Sequence, residues 1–147
     1  MIAINNYHPT NRLDCIDIFR SNLPTYFASH ELQDFKDWID QENIEHYFVL
    51  GYQSKIVGCG GFYLIYDTME AGFAWGMIHQ NFHNQGLGKK LSLFRLKKIK
   101  EMGPFSIRLS TSQHTAGFYE KMGFKTKNVQ ENGFGQGLDK YEMSFEL

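Results

Sequence analysis

The sequence predicts an α+β fold, a mixed and mostly antiparallel sheet of about six to seven strands flanked by about four helices. Three observations carry this expectation. Apolar residues recur at helical spacing early in the chain, switch to period two after Asn43, and return to helical spacing after Gly86. The period-two runs are joined by stretches short enough to be hairpins. Glycines stand where helices should start or stop, at Gly86, Gly103 and Gly123.

Taken in order, residues 1–7 alternate weakly and read as an edge strand. Over residues 9–20, Leu13, Ile16, Ile18 and Phe19 suggest a helix that ends before Pro24. A second helix takes Ser29 as its cap and Glu31 in its first turn, with Leu32, Phe35, Trp38 and Ile39 on its apolar face. Strands follow at 46–52, 56–66 and 71–79. Their links, Gln53 to Lys55 and Asp67 to Glu70, make them an antiparallel meander. Gly58, Gly60 and Gly61 inside the middle strand mark a bulge or a close approach of backbones. A helix over 86–102 sets Leu87, Leu91, Phe94 and Ile99 on one face and stops at Gly103 and Pro104. Residues 105–110 form a strand and 115–122 a short helix closed by a left-handed Gly123. Residues 124–130 and 141–147 make a last hairpin around the glycine-rich stretch 132–137.

Composition narrows the function classes. The 147 residues, with 42% hydrophobic and 21% charged side chains and no repeat or linker, fit a single domain over 1–147. A net charge of −1 gives no global attraction to nucleic acid or to an anionic membrane, so neither partner is expected. The two cysteines, Cys15 and Cys59, lie in apolar surroundings without metal-ligand spacing and read as buried, reduced thiols. The first residues have no basic or apolar leader pattern, and no apolar run is long enough to span a bilayer, so a cytoplasmic location is expected.

The most informative segment is His83, Asn84, Gln85, Gly86, Leu87, Gly88, Lys89 and Lys90, which follows a strand and opens a helix. Glycines there let several N–H groups face one point, the helix N-terminus adds partial positive charge, and the lysines strengthen the resulting anion site. A Walker A loop would need glycine and Ser or Thr where His83 and Lys90 stand, and a dinucleotide fingerprint would need glycine at Leu91. A second segment runs from Ser110 through Ser112 and Tyr119 to Gly123 and Phe124. His79 and His83 are four apart but span a strand end and a loop, so no metal is expected.

Together these two segments resemble the signatures of the GNAT superfamily of N-acyltransferases. The first is similar to the family's Gln/Arg-x-x-Gly-x-Gly/Ala loop, with His83 in place of the usual Gln or Arg. The second is similar to its Tyr-x-x-x-Gly-Phe segment, with Ser112 where Asn is frequent. The resemblance implies a GNAT-like sheet and acetyl-CoA as co-substrate. It also implies that the backbone amides of residues 84–90 hold the coenzyme pyrophosphate and that Met77, Ile78 and His79 pair with the pantetheine arm. Ser112 would contact the coenzyme and Tyr119 would protonate the departing thiolate.

Chemically, a neutral amine would attack the thioester and a phenol with a pKa near 10 would supply a proton to sulfur. The strand before the loop lacks the glutamate many relatives carry there, leaving Glu70, Asp67, His79 or water as the base. The acceptor would be a primary amine of a small molecule or peptide, which Glu131, Asp139 or Glu142 near the last hairpin would attract. A homodimer is compatible with this reading. The competing readings are a catalytically idle coenzyme A-binding or protein-interaction module and, on the strength of the basic helix (Lys89, Lys90, Arg95, Lys97, Lys98 and Lys100), a nucleic-acid-binding domain. Most of that basic helix reads as a solvated face.

Overall fold

The computed structural model describes residues 1–147. In chain order it comprises β1 (Ile2–Asn6), α1 (Arg12–Ser21), α2 (Glu31–Ile39), β2 (Tyr47–Tyr52), β3 (Lys55–Ile65) and β4 (Glu70–Ile78). After these come α3 (Leu87–Met102), β5 (Ser106–Thr111), α4 (Ala116–Lys121), β6 (Lys125–Gly135) and β7 (Leu138–Glu146). The strands form one seven-stranded sheet in the order β1-β2-β3-β4-β5-β7-β6. Every pairing is antiparallel except β4 with β5. This is the mixed α+β sheet the periodicities predict, meander included.

The helices cover both faces. On one, Cys15, Ile18 and Phe19 of α1 and Phe35 and Ile39 of α2 close over Tyr47, Val49, Cys59 and Met77. On the other, Leu96 and Ile99 of α3 and Ala116 of α4 pack on Phe48, Phe62, Ile107, Leu109 and Met143. Arg12 at the start of α1 grips Asp40 just past α2 through two bonds of 2.7 and 3.0 Å, and this guanidinium holds the Asp40 carboxyl below its usual pKa. No helix is long and apolar enough to cross a membrane.

Several local expectations are corrected. A 3-10 turn at Pro9–Asn11 precedes α1, and the helix then turns Cys15, Ile16, Ile18 and Phe19 inward while Leu13 is 73% exposed. Ser29 does not cap α2. Its N-cap, His30, is already helical and makes no side-chain cap bond, and the Glu31 carboxylate reaches back to accept the Ala28 N–H at 2.8 Å. In α3 the buried stripe runs Leu87, Leu91, Arg95 and Ile99, so Arg95 leaves the solvated face and occupies the core while Phe94 is half-buried. The last hairpin is longer than expected: its strands continue to Gly135 and from Leu138, with Asn132 and Gly135 at positive φ where the register shifts between Gln130 and Gly135 and Gly137 at positive φ in the turn. Gly103 and Gly123 end α3 and α4 with φ of 79° and 105°, as their positions predict.

Candidate active site

The site begins where the sheet fails to close. β4 and β5 pair over three residues, Glu70 with Ser106, Ala71 with Ile107 and Gly72 with Arg108, and then separate. The cause lies on the other edge of β4. Its register with β3 passes from Ala74–Gly61 to Met77–Cys59, so Trp75 and Gly76 bulge opposite Gly60. Trp75 sits at φ +43°, an expensive position for a tryptophan, and four contacts over-determine it. Its indole lies among Phe19, Phe27 and Phe35, with ring centroids 6.3, 6.5 and 5.3 Å away, and its carbonyl accepts the Tyr47 hydroxyl at 2.8 Å. Beyond Gly72, therefore, the edge of β4 that faces β5 is free of strand partners, which suits it to pair with an extended amide-bearing chain.

A cleft of about 1460 Å³ fills this split. At its head the chain takes left-handed conformations at Asn84 and Gly86, with φ of 62° and 78°, and enters α3. The first N–H groups of that helix have no carbonyl four residues back and open toward the cleft, and Lys89 lines the same wall. Gly88 is the narrow point, where a Cβ would stand 3.6 Å from Phe118 and 3.8 Å from Ile78. His83 does not point into solvent. Its Nε2 donates to the Ile78 carbonyl at 2.8 Å, which ties the loop to the end of β4.

The facing wall comes from the turn between β5 and α4. Ser112 is 3% exposed, its Oγ accepts the His114 N–H at 3.3 Å, and its carbonyl accepts the first amides of α4. Tyr119 stands on α4 with its ring 6.2 Å from that of Phe73 on β4, so the split brings the phenol opposite the bulged strand. Of the residues expected at the site, Met77, Ile78, His83, Asn84, Gly86, Gly88, Lys89, Ser112 and Tyr119 line the cleft. The side chains of His79, Gln85, Leu87 and Lys90 stand outside it: His79 Nδ1 accepts the Asn81 N–H, and Leu87 is a core residue.

Among the carboxylates expected to act as base or to attract an amine, Glu70 and Glu142 are on the wall. Asp67 lies in an exposed turn, Glu131 is exposed, and Asp139 is committed to the hairpin through the Asn132 N–H at 2.9 Å.

Three cleft residues escape a reading of the sequence. Glu31 is buried where α2 meets the cleft, and burial raises its carboxyl pKa. Tyr26, between α1 and α2, reaches over the mouth with its ring edge-on to His83 at 5.1 Å and to His114 at 6.0 Å. Arg95 lies 2% exposed beneath the bulge, donates to the Gly61 carbonyl at 3.2 Å, and stacks its guanidinium 3.8 Å from the Phe73 ring. Only Arg95 left a trace in the sequence, as the third member of a stripe stepping by four along α3.

The family model of the acetyltransferase (GNAT) domain matches residues 43–126, more than half of the chain. Solved structures give the same architecture. The ribosomal-protein-S18-alanine N-acetyltransferase from Escherichia coli superposes with a TM-score of 0.82 at 17% identity, over 99% of this chain and 94% of that one. Ard1 from Thermoplasma volcanium does so with a TM-score of 0.81 at 20% identity, over 99% and 97%. An aminoglycoside 6'-N-acetyltransferase complexed with coenzyme A gives 0.76 at 17% identity, over 98% and 96%. No curated protein matches the sequence.

Proposed function

The chain belongs to the GNAT acetyltransferase family, and from that premise we propose that it transfers an acetyl group from acetyl-CoA to a primary amine of a small molecule or peptide by direct attack. The observation that carries the proposal is the alignment of three features along one cleft: the open N-terminus of α3, the unpaired edge of β4, and Tyr119 opposite that edge. Coenzyme A fits such a cleft. Amides at 84–89 suit its pyrophosphate, the Lys90 N–H being taken by the Gly86 carbonyl, and the edge of Met77 and Ile78 suits its pantetheine amides.

The coenzyme supplies an activated thioester; the chain's residues orient it and move protons. Backbone N–H groups at the bulge stabilise charge on the carbonyl oxygen as the amine nitrogen forms its C–N bond. The C–S bond then breaks with its electron pair on sulfur, and Tyr119 gives sulfur its phenolic proton. The proton lost by the amine passes to water in the half of the cleft walled by Glu31, Glu70 and Glu142. Burial raises the Glu31 carboxyl above its ordinary value, which makes it a better proton acceptor there.

The test is free-thiol release from acetyl-CoA across a panel of small amines and peptides, with Tyr119→Phe alongside. Turnover by the native chain and a loss of about tenfold to a hundredfold in kcat for the variant are expected. Saturable coenzyme binding without transfer to any amine would select an idle binding module instead. Absence of binding at millimolar coenzyme would remove both readings.

A further inference from the structure

Arg95 is the one cleft residue whose presence neither packing nor coenzyme binding accounts for. It belongs to the stripe Leu87, Leu91, Arg95 and Ile99 of α3, where an apolar side chain would complete the core. Arginine stays charged at any physiological pH, and burying a charge without an opposite charge is costly. No carboxylate lies within ion-pair distance of it. Its nearest partners are the Gly61 carbonyl, the Ser92 hydroxyl at 3.4 Å and the face of Phe73, and its buried Nε–H has no acceptor. The fold nevertheless makes room for it: a Cβ on Gly76 would stand 2.6 Å from one guanidinium nitrogen, and a Cβ on Gly60 3.4 Å from the guanidinium carbon.

Its depth indicates what the charge faces. Arg95 is eight residues along α3 from Leu87, about 12 Å down the cleft from the helix N-terminus. That places it under the bulge, on Phe73, with Tyr119 against the same ring. The other titratable group approaching it is Tyr47, bonded to the Trp75 carbonyl and kept neutral by burial, while His83 and Lys89 stand at the head of the cleft. If acyl transfer runs as proposed above, on which this inference rests, the anion that develops at this depth is the sulfur of coenzyme A when the C–S bond breaks.

We propose that Arg95 is a positioning residue for acyl transfer: it holds the β3–β4 bulge from below, and its buried positive charge stabilises the coenzyme A thiolate before sulfur takes its proton. The charge acts through the low-dielectric core rather than by contact.

The readout is the ionisation of coenzyme A bound to the intact protein, followed by thiolate ultraviolet absorbance against pH for the native chain, Arg95→Met, Arg95→Gln and Arg95→Lys. Calorimetric binding and thermal midpoints are measured alongside. In the native complex the thiol should titrate about one unit or more below free coenzyme A. The neutral variants should return it toward the free value, and Arg95→Lys should recover much of the shift. For the neutral variants kcat should fall about tenfold or more, while KM for the amine holds. Saturable binding with an unshifted thiol in the native protein overturns the inference even if no neutral variant folds, and so does an equal thiol pKa in native and neutral variants. Absence of saturable binding overturns the acetyl-CoA reading itself.

Discussion

At Gly86 the backbone stands at φ +78° and nothing lies within 4 Å of where a Cβ would be, so alanine there meets only the penalty of a left-handed conformation. Gly86→Ala is expected to cost about 1–2 kcal/mol in denaturant unfolding and to weaken coenzyme binding as the turn relaxes. At Gly61 the conflict is steric: a Cβ would run into the His46 carbonyl and the Tyr47 backbone on β2. Gly61→Ala should therefore force β2 and β3 apart and cost about 3 kcal/mol or more, which the same denaturation experiment reads. Both glycines are legible in the sequence for these reasons, because a missing Cβ is visible there. Cys15 and Cys59, by contrast, meet between α1 and β3, where the neighbouring Cys59 side chain and burial push the Cys15 thiol pKa up. That juxtaposition depends on how helix and sheet dock, which no spacing records.

Among the elements, the start of α2 shows how a local rule is satisfied by an unexpected residue. With Ser29 out of position, Glu31 folds back onto Ala28 and is buried in doing so, and desolvation raises its pKa. A carboxyl whose folded pKa lies above its unfolded value of about 4.3 destabilises the fold as pH rises through that unfolded value, until the folded group has also ionised. Glu31→Gln keeps an oxygen for the Ala28 N–H and removes the titration. Its thermal midpoint relative to the native chain should therefore rise between pH 4 and pH 7. A constant difference between the two proteins would show that Glu31 ionises as freely folded as unfolded. The same distinction governs what was legible. The meander, the α3 stripe and the glycine helix ends follow from period and punctuation. The β4 bulge was half legible. Gly58, Gly60 and Gly61 announce close backbones on β3, but the extra residues are Trp75 and Gly76 on the partner strand. A tryptophan at positive φ is held by tertiary packing and leaves no mark in its own sequence.

For the whole molecule, the split between β4 and β5 divides one sheet into two parts. β1 to β4 carry α1, α2 and most of α3's packing, whereas β5 to β7 carry α4, and only three residue pairs join the strands at the seam. The core beneath is continuous, since Leu96 and Ile99 of α3 share a cluster with Ile107, Leu109 and Met143. Unfolding should accordingly be a single transition, with opening at the cleft as its lowest-energy fluctuation. A ligand lying between the two walls binds the folded chain and not the unfolded one. Free coenzyme A at a hundred times its dissociation constant should stabilise by about 2.7 kcal/mol and raise the thermal midpoint by about 5–10 °C. Hydrogen exchange would locate the effect: amides at 76–78 and 84–90 on one wall and 112–119 on the other should slow together, because one bound chain closes both. Protection confined to 84–90 would mean that the pyrophosphate loop binds while the seam stays open, and the path proposed for the thioester would then be wrong.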